Sequence, residues 1–300
     1  MNEDQKIKFI FTKRIMALTN YAKLIRLHQP TGIWLLFLPC LFGIFLALKN
    51  LPNPDFFETL RVIALFFIGS IVMRSAGCIV NDLLDQKFDK NVDRTKDRPL
   101  ASGKVSRLEA MILLGALLFL GLLILIQFNT KTILSGFVAL ALLTTYPLMK
   151  RVTYYPQIFL GLTFNFGILM SSLAITEEIG LATLTLYLAS IIWTVIYDTI
   201  YAYQDIENDL KIGVKSTAIK FKNNPRKILL SLNLLMFLTL IGLGWQSDFR
   251  SEFYILVLVA DIFLNQKIRS CDFTNPRNCL SVFRQNIWVG VLILMAIFLG

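Results

Sequence analysis

Asn81, Asp82, Asp85 and Asp89 lie in the stretch Arg74 to Ser106, R-S-A-G-C-I-V-N-D-L-L-D-Q-K-F-D-K-N-V-D-R-T-K-D-R-P-L-A-S-G-K-V-S, which begins in an apolar run and ends in a basic one. If the preceding helix continues through it, Asn81, Asp85 and Asp89 fall at i, i+4 and i+8 and share one face. Like charges gathered this way, with Asp82 counted among them, repel one another and weaken a helix. A positive partner must offset them. Hard divalent cations suit oxygen ligands, and Mg²⁺ usually arrives carrying substrate phosphates. A second acidic stretch, Y-D-T-I-Y-A-Y-Q-D-I-E-N-D-L-K-I-G-V-K-S-T, places Asp198, Asp205 and Asp209 at i, i+7 and i+11, again one face of a continuous helix. Two such faces can each hold a Mg²⁺, and two Mg²⁺ ions bridged by a diphosphate turn it into a good leaving group. Arg94, Lys96, Arg98, Lys104, Lys150, Arg151, Lys211 and Lys215 lie near enough in sequence to grip its oxygens.

The elements that must position these residues are membrane spans. The 300 residues are 55% hydrophobic and 17% charged, with mean hydropathy +0.62, and apolar runs near the ~20 residues needed to cross a bilayer recur throughout. The pattern predicts an all-α, polytopic membrane protein of about nine spans: 24–48, 60–80, 108–127, 132–149, 157–175, 181–203, 228–245, 253–265 and 282–300. Residues 1–23 read as a basic segment on the cytoplasmic membrane surface. Residues 24–300 read as one transmembrane domain, with motif loops at 81–107 and 203–227. Of the nine spans the eighth is the shortest, and Asp261 within it marks either a functional group or a misplaced boundary.

The net charge of +10 follows the topology. The N-terminus and even-numbered loops hold about 22 of the lysines and arginines and the odd-numbered loops about four, which places the N-terminus and both acidic motifs in the cytoplasm. Aromatic residues do not interleave with these bases, which argues against nucleic acid. Cys40, Cys78, Cys271 and Cys279 form no CxxC pair, and His28 is the single histidine, which argues against a zinc site and against a disulfide framework. The N-terminal sequence carries Glu3 and Asp4, has no small-residue cleavage site, and reads as neither a signal nor a transit peptide. A bacterial inner membrane is the simplest placement.

Acids between basic residues are ordinarily a solvated face, and Asp85 and Asp89 could simply pair with Lys87, Lys90 or Arg94. Two acidic stretches at matching places in the topology, each followed by a basic loop with Gly and Ser/Thr, outweigh that reading. Arg74 and Asp198 strengthen the case, because ionisable groups within spans are costly and mark functional sites. Acids, bases and a greasy bundle together suit a lipid diphosphate, its head at the membrane edge and its tail among the spans.

R-x-x-G-C-x-x-N-D-x-x-D-x-x-x-D followed by R-T-x-x-R-P-L-x-S-G resembles the first signature of the UbiA superfamily of intramembrane aromatic prenyltransferases. Y-D-T-x-Y-A-x-x-D-x-x-x-D-x-x-I-G-x-K-S-T-A resembles its second. R-L-x-x-P-T-G at Arg26–Gly32 and T-Y-P-x-x-K-R at Thr145–Arg151 match as well. The wording is closest to the 4-hydroxybenzoate polyprenyltransferase branch, with His28-Gln29 departing from the polar pair usual before the proline. The resemblance implies a nine-helix bundle around a central cavity. It implies Mg²⁺–diphosphate contacts at Asn81, Asp85 and Asp89 and at Asp205 and Asp209, with Asp198 near the reacting centre. Arg26, Arg98, Lys150 and Arg151 become candidates for diphosphate or carboxylate contacts, joined by Lys215 of the second signature.

The expected reaction is transfer of a polyprenyl group from its diphosphate to the ring carbon ortho to the hydroxyl of 4-hydroxybenzoate, a step of ubiquinone biosynthesis. Asp198 would assist deprotonation, and Arg74 would hold the carboxylate or orient Asn81. The partners are those two substrates and the bilayer, with no obligate protein partner. Another aromatic or lipid acceptor is the nearest alternative. A cation transporter is the rival from another class, although transport sites usually lie near the midplane, and a structural scaffold gives no reason for two matched acidic motifs.

Overall fold

A computed structural model describes residues 5, 18–49, 51–90, 92 and 95–300. The basic residues Lys6, Lys8, Lys13 and Arg14 of the N-terminal segment, and Arg94, lie outside them. Among the described residues every regular element is a helix. Hydrocarbon offers the backbone no hydrogen bonds, so a spanning segment must satisfy its own amides.

A short helical stretch, 18–24, and a turn precede α1 (Thr31–Lys49). The first span therefore starts at Thr31 and not at Leu24, because the chain turns over 25–28 and Pro30 stands just before the helix. α2 (Phe56–Asp89) runs without a break through the first acidic motif, so the motif loop begins after Asp89 and not at residue 81. α3 (Arg107–Leu125) and α4 (Thr130–Val152) follow. The fifth span is two helices, α5 (Pro156–Phe164) and α6 (Phe166–Thr176). α7 (Leu181–Ala202), α8 (Ile206–Ile212) and α9 (Thr217–Lys220) carry the second motif and its loop. α10 (Pro225–Gln246), α11 (Ser251–Ser270) and α12 (Pro276–Leu299) complete the chain.

Eight of these segments are long and apolar enough to cross a membrane, α5 and α6 counting as one. α11, where a further span was expected over 253–265, is not among them; it is a helix of 20 residues. Its charges (Glu252, Asp261, Lys267 and Arg269) had hidden its length. Asp261 accepts a 2.7 Å hydrogen bond from the Asn233 amide of α10, so the carboxyl joins two helices.

The described residues divide into two compact units. The larger comprises Ile33–Ser70 and Ile124–Gly300. Its core draws Leu38 and Phe42 of α1, Trp193 and Tyr197 of α7, Met236 of α10, Phe253 of α11 and Ile293 of α12 into one cluster. Between helices in lipid, close packing and a few polar contacts drive association more than hydrophobicity. The Trp193 indole N–H accordingly donates to Asn286 Oδ1 at 3.1 Å, fully buried. The smaller unit, Met1–Gly32 and Ile71–Leu123, has its own core of Leu24, Ile79, Leu100, Val105 and Ala110.

Asn165 sits at the break between α5 and α6, fully buried. Its amide nitrogen is 2.8 Å from Gly161 O, 3.1 Å from Ser190 O and 2.8 Å from Thr194 Oγ1, tying the break to α7. Asn165→Ala should lower stability by about 1–2 kcal/mol, read as a lower melting midpoint in detergent. An unchanged midpoint would mean that packing alone holds the break.

Candidate active site

The first motif is built in the smaller unit. The loop after α2 folds back on the helix: Thr95, buried, donates to Asp89 O at 2.9 Å, and Gln86 Nε2 donates to Leu100 O at 3.0 Å. Leu100 and Val105 drop into the apolar cluster with Ile79. Ser106 and Glu109 then start α3 reciprocally, Ser106 N–H donating to the Glu109 carboxylate (2.7 Å) and Glu109 N–H to Ser106 Oγ (3.2 Å), as in a capping box. Tyr21 donates to the same carboxylate at 3.0 Å, and that bond holds its phenol above the ordinary pKa.

This fold-back delivers Arg98 to the acidic face. Its Nη1 lies 2.8 Å from Asp89 Oδ2 and 3.2 Å from Asp82 Oδ1. Arg26 reaches the same Asp82 oxygen from the opposite side in sequence, through Nη2 at 2.5 Å, while its Nη1 lies 3.7 Å from Cys78 Sγ. Arg26 is held at φ 55°, a left-handed backbone that costs a non-glycine residue on the order of 1 kcal/mol. The ion pair accompanies that strain. Two expected phosphate contacts, Arg26 and Arg98, thus meet two expected metal ligands, Asp82 and Asp89. Asn81 and Asp85, one turn apart on α2, are half-buried. Arg74, further back on the helix, lays its guanidinium over Gly32, and a Cβ at Gly32 would collide with it. The signal for this contact was present in the P-T-G run, but nothing in the sequence linked it to Arg74.

The second motif belongs to the larger unit and differs from its expected geometry. α7 carries Asp198, half-buried near its end, and then stops at Ala202. Asp205 is the first residue of the next turn, at the N-cap of α8, and Asp209 N–H donates to Asp205 O at 2.8 Å. Asp205 and Asp209 therefore share a helical turn, while Asp198 stands on a different helix. The single continuous face expected of all three is corrected. The chain must turn there because the loop beyond is tied back to α7. Gly213 closes α8 at φ 72°, a left-handed cap that glycine adopts freely. Ser216 caps α9. Thr217 then bonds twice in a buried latch, its hydroxyl 2.6 Å from that of Thr199 and its N–H 3.0 Å from Gln157 Oε1.

The basic residues here serve the same latch. Lys215 N–H donates to Lys150 O at 2.9 Å and Lys215 Nζ to Val152 O at 3.1 Å, beside the Tyr154 ring. The K-S-T run and the K-R run of α4 are thereby brought together. Lys150 is half-buried and Arg151 exposed, both in the last turn of α4, where cations are favoured. Tyr203, buried against Phe273 at 4.9 Å between ring centres, is pushed above its ordinary pKa by burial.

The donors offered to a metal are all carboxylate and amide oxygens, the set that a hard cation takes. Among the described residues no three His, Cys, Asp or Glu side chains gather into a cage. Mg²⁺ needs none, since it commonly keeps waters and takes one or two carboxylates plus substrate phosphates. The residues fit a cation of that kind.

Arg98→Ala leaves two largely buried carboxylates without their shared cation. It should lower stability by about 3 kcal/mol, and adding Asp82→Asn should restore part of the loss. Equal melting midpoints for wild type and Arg98→Ala would show that the clamp contributes nothing.

Comparison with known proteins agrees with this architecture. Solved structures share the fold: a UbiA homolog from Aeropyrum pernix K1 in its apo form (TM-score 0.70, 22% identical, covering 86% of this chain and 94% of that one), and a UbiA homolog from Archaeoglobus fulgidus bound to GPP and Mg²⁺ (TM-score 0.70, 20% identical, covering 93% and 98%). In sequence, the chain is 44% identical over 287 residues to the mitochondrial 4-hydroxybenzoate polyprenyltransferase of Drosophila melanogaster, covering 95% of this chain and 72% of the relative. It is 41% identical to the enzyme of that name from Rattus norvegicus (93% and 74% covered) and 40% identical to that from Homo sapiens (93% and 75%). The model of the UbiA prenyltransferase family matches residues 36–291, and with these relatives it establishes that the chain is a multi-pass membrane protein belonging to the UbiA prenyltransferase family.

Proposed function

We propose that this protein transfers a polyprenyl group from a polyprenyl diphosphate to the carbon ortho to the hydroxyl of 4-hydroxybenzoate, giving 3-polyprenyl-4-hydroxybenzoate and diphosphate in ubiquinone biosynthesis. The observation that carries this reading is the 44% identity, over 95% of the chain, to a relative of that name. The oxygen-donor chemistry of the two motifs agrees with it.

When bound, Mg²⁺ neutralises the diphosphate and improves it as a leaving group. Asn81, Asp85 and Asp89 in one unit and Asp205 and Asp209 in the other are the proposed cation contacts. Asp82 shares this motif and holds Arg26 and Arg98 in place. A guanidinium has five N–H donors, so Arg98, which meets both acids through one nitrogen, has donors left for phosphate. Lys150, Arg151 and Lys215 are the proposed phosphate contacts of the larger unit. The allylic C–O bond breaks, and its electron pair leaves with diphosphate. The electron-rich ring attacks the allylic cation to form the new C–C bond, and the ring proton is lost. Asp198 is the proposed acceptor of that proton. Arg74 is proposed to hold the benzoate carboxylate. Helices exclude the water that would quench the cation. The basic loops support a cytoplasmic N-terminus.

Purified protein given labelled 4-hydroxybenzoate, a polyprenyl diphosphate and Mg²⁺ should form a lipid-soluble product, and EDTA should abolish it. Product with a different aromatic acceptor alone would move the protein to another branch of the family. Asp85→Ala and Asp205→Ala should each reduce turnover at least about 10²-fold, equivalent to a few kcal/mol of charge stabilisation, while inserting normally. Normal turnover in either would remove that residue from the metal site. A Cβ at Gly32 would displace the Arg74 guanidinium, so Gly32→Ala should cut activity about 10-fold or more. Full activity would detach Arg74 from the reaction.

A further inference from the structure

We propose that a groove between the start of α10 and the end of α11 binds the headgroup of an anionic phospholipid from the surrounding bilayer. The groove belongs to the larger unit, is open to its surroundings and offers about 730 Å³, ample for a headgroup. Arg226, Lys227 and Arg269 line it together with Leu230, Leu234 and Phe273.

Two of the three cations are set by hydrogen bonds. Arg226 donates through Nη2 to Cys271 O at 3.0 Å and lies 5.9 Å from the Phe273 ring centre. Arg269 donates through Nε to Asn265 Oδ1 at 2.7 Å, which orients its guanidinium. Among the described residues none of the three forms an ion pair. Asp272 is the nearby acid: it feels the charge of Arg226 without lying at ion-pair distance. Three positive charges against one negative favour an anion. Asn224, at the N-cap of α10, makes no side-chain cap bond, so the first amides of that helix add their positive dipole end.

The apolar part selects the kind of anion. Leu234 is 56% exposed and Leu230 half-buried, one turn apart on α10 in the direction of the span. A soluble phosphate gains nothing from that wall, whereas acyl chains would lie along it. A basic pocket between helices at a membrane edge is the usual form of an anionic-lipid site. The groove opens at the same end of α10 as the lysine-rich loop after the second motif, the edge that is richest in positive charge.

The test is native mass spectrometry of the detergent-solubilised full chain offered equal amounts of cardiolipin and phosphatidylcholine. Wild type should retain cardiolipin preferentially. Lys227→Gln with Arg269→Gln should weaken that retention about thirty-fold, about five-fold for each cation removed. Lys220→Gln with Lys222→Gln, exposed on the same loop but outside the groove, should change it little. All three proteins should melt alike, because the substituted side chains are exposed. Undiminished retention in the groove variant would overturn the proposal, and so would an equal loss in the loop variant, which would mean diffuse surface charge. Displacement of the lipid by inorganic phosphate alone would mean a soluble-anion site and would overturn it too.

Discussion

Carboxylates at the end of a membrane-spanning helix must be neutralised, and the first motif is arranged around that requirement. An unpaired ionised group taken from water costs several kcal/mol even after relaxation. Asp82 is almost fully buried and Asp89 nearly so. The helix can carry them because two arginines arrive from separate segments, Arg26 from before α1 and Arg98 from after α2. That requirement explains features that otherwise look unrelated. It accounts for a strained left-handed backbone at Arg26, for the Thr95 and Gln86 bonds that fold the loop back, and for Leu100 and Val105 packing beside Ile79. Each places a guanidinium where the acids need one.

The second motif solves the same problem by other means. Its acids are half-buried and not deeply buried, and two of them begin a short helix, where negative charge is favoured by the helix dipole. The structural effort goes into the latch. Thr217, Thr199 and Gln157 form a buried polar contact that holds the K-S-T run against α7, while Lys215 fastens it to the last turn of α4. A lysine spent on backbone carbonyls is first a strut. Its service to a phosphate, in the proposed reaction, would follow from being fixed there.

Much of this was legible in the residues, and what was not shares a cause. Apolar runs located the eight segments able to cross a membrane, and the acid spacing located both motifs, because helical periodicity is a local property. Errors arose where a distant partner overrides local pattern. A run from 181 to 203 looks able to continue through Asp209, yet the latch to Thr217 forces the turn. Asp261 and the charged end of α11 looked like a boundary, yet Asn233 on another helix accommodates the carboxyl. Asn165 gave no sign of splitting its span, because its partners, Ser190 and Thr194, lie on α7. The sequence alone does not show that Arg26 and Arg98 converge on Asp82, because both partners lie far from it along the chain.

The choice of arginine over lysine at 26 and 98 suits the burial of their partners. Arg98 touches two carboxylates seven residues apart on one helix, at 2.8 and 3.2 Å, through a single nitrogen. A guanidinium keeps its charge when buried beside such acids, whereas a buried lysine shifts its pKa readily. Lys215 has a single carbonyl to reach with its ammonium, and a point donor is sufficient. The basic residues of the two motifs are therefore not one interchangeable pool of positive charge. Those that meet buried acids are arginines, whose charge does not lapse on burial, and their removal should act on the fold before it acts on any substrate.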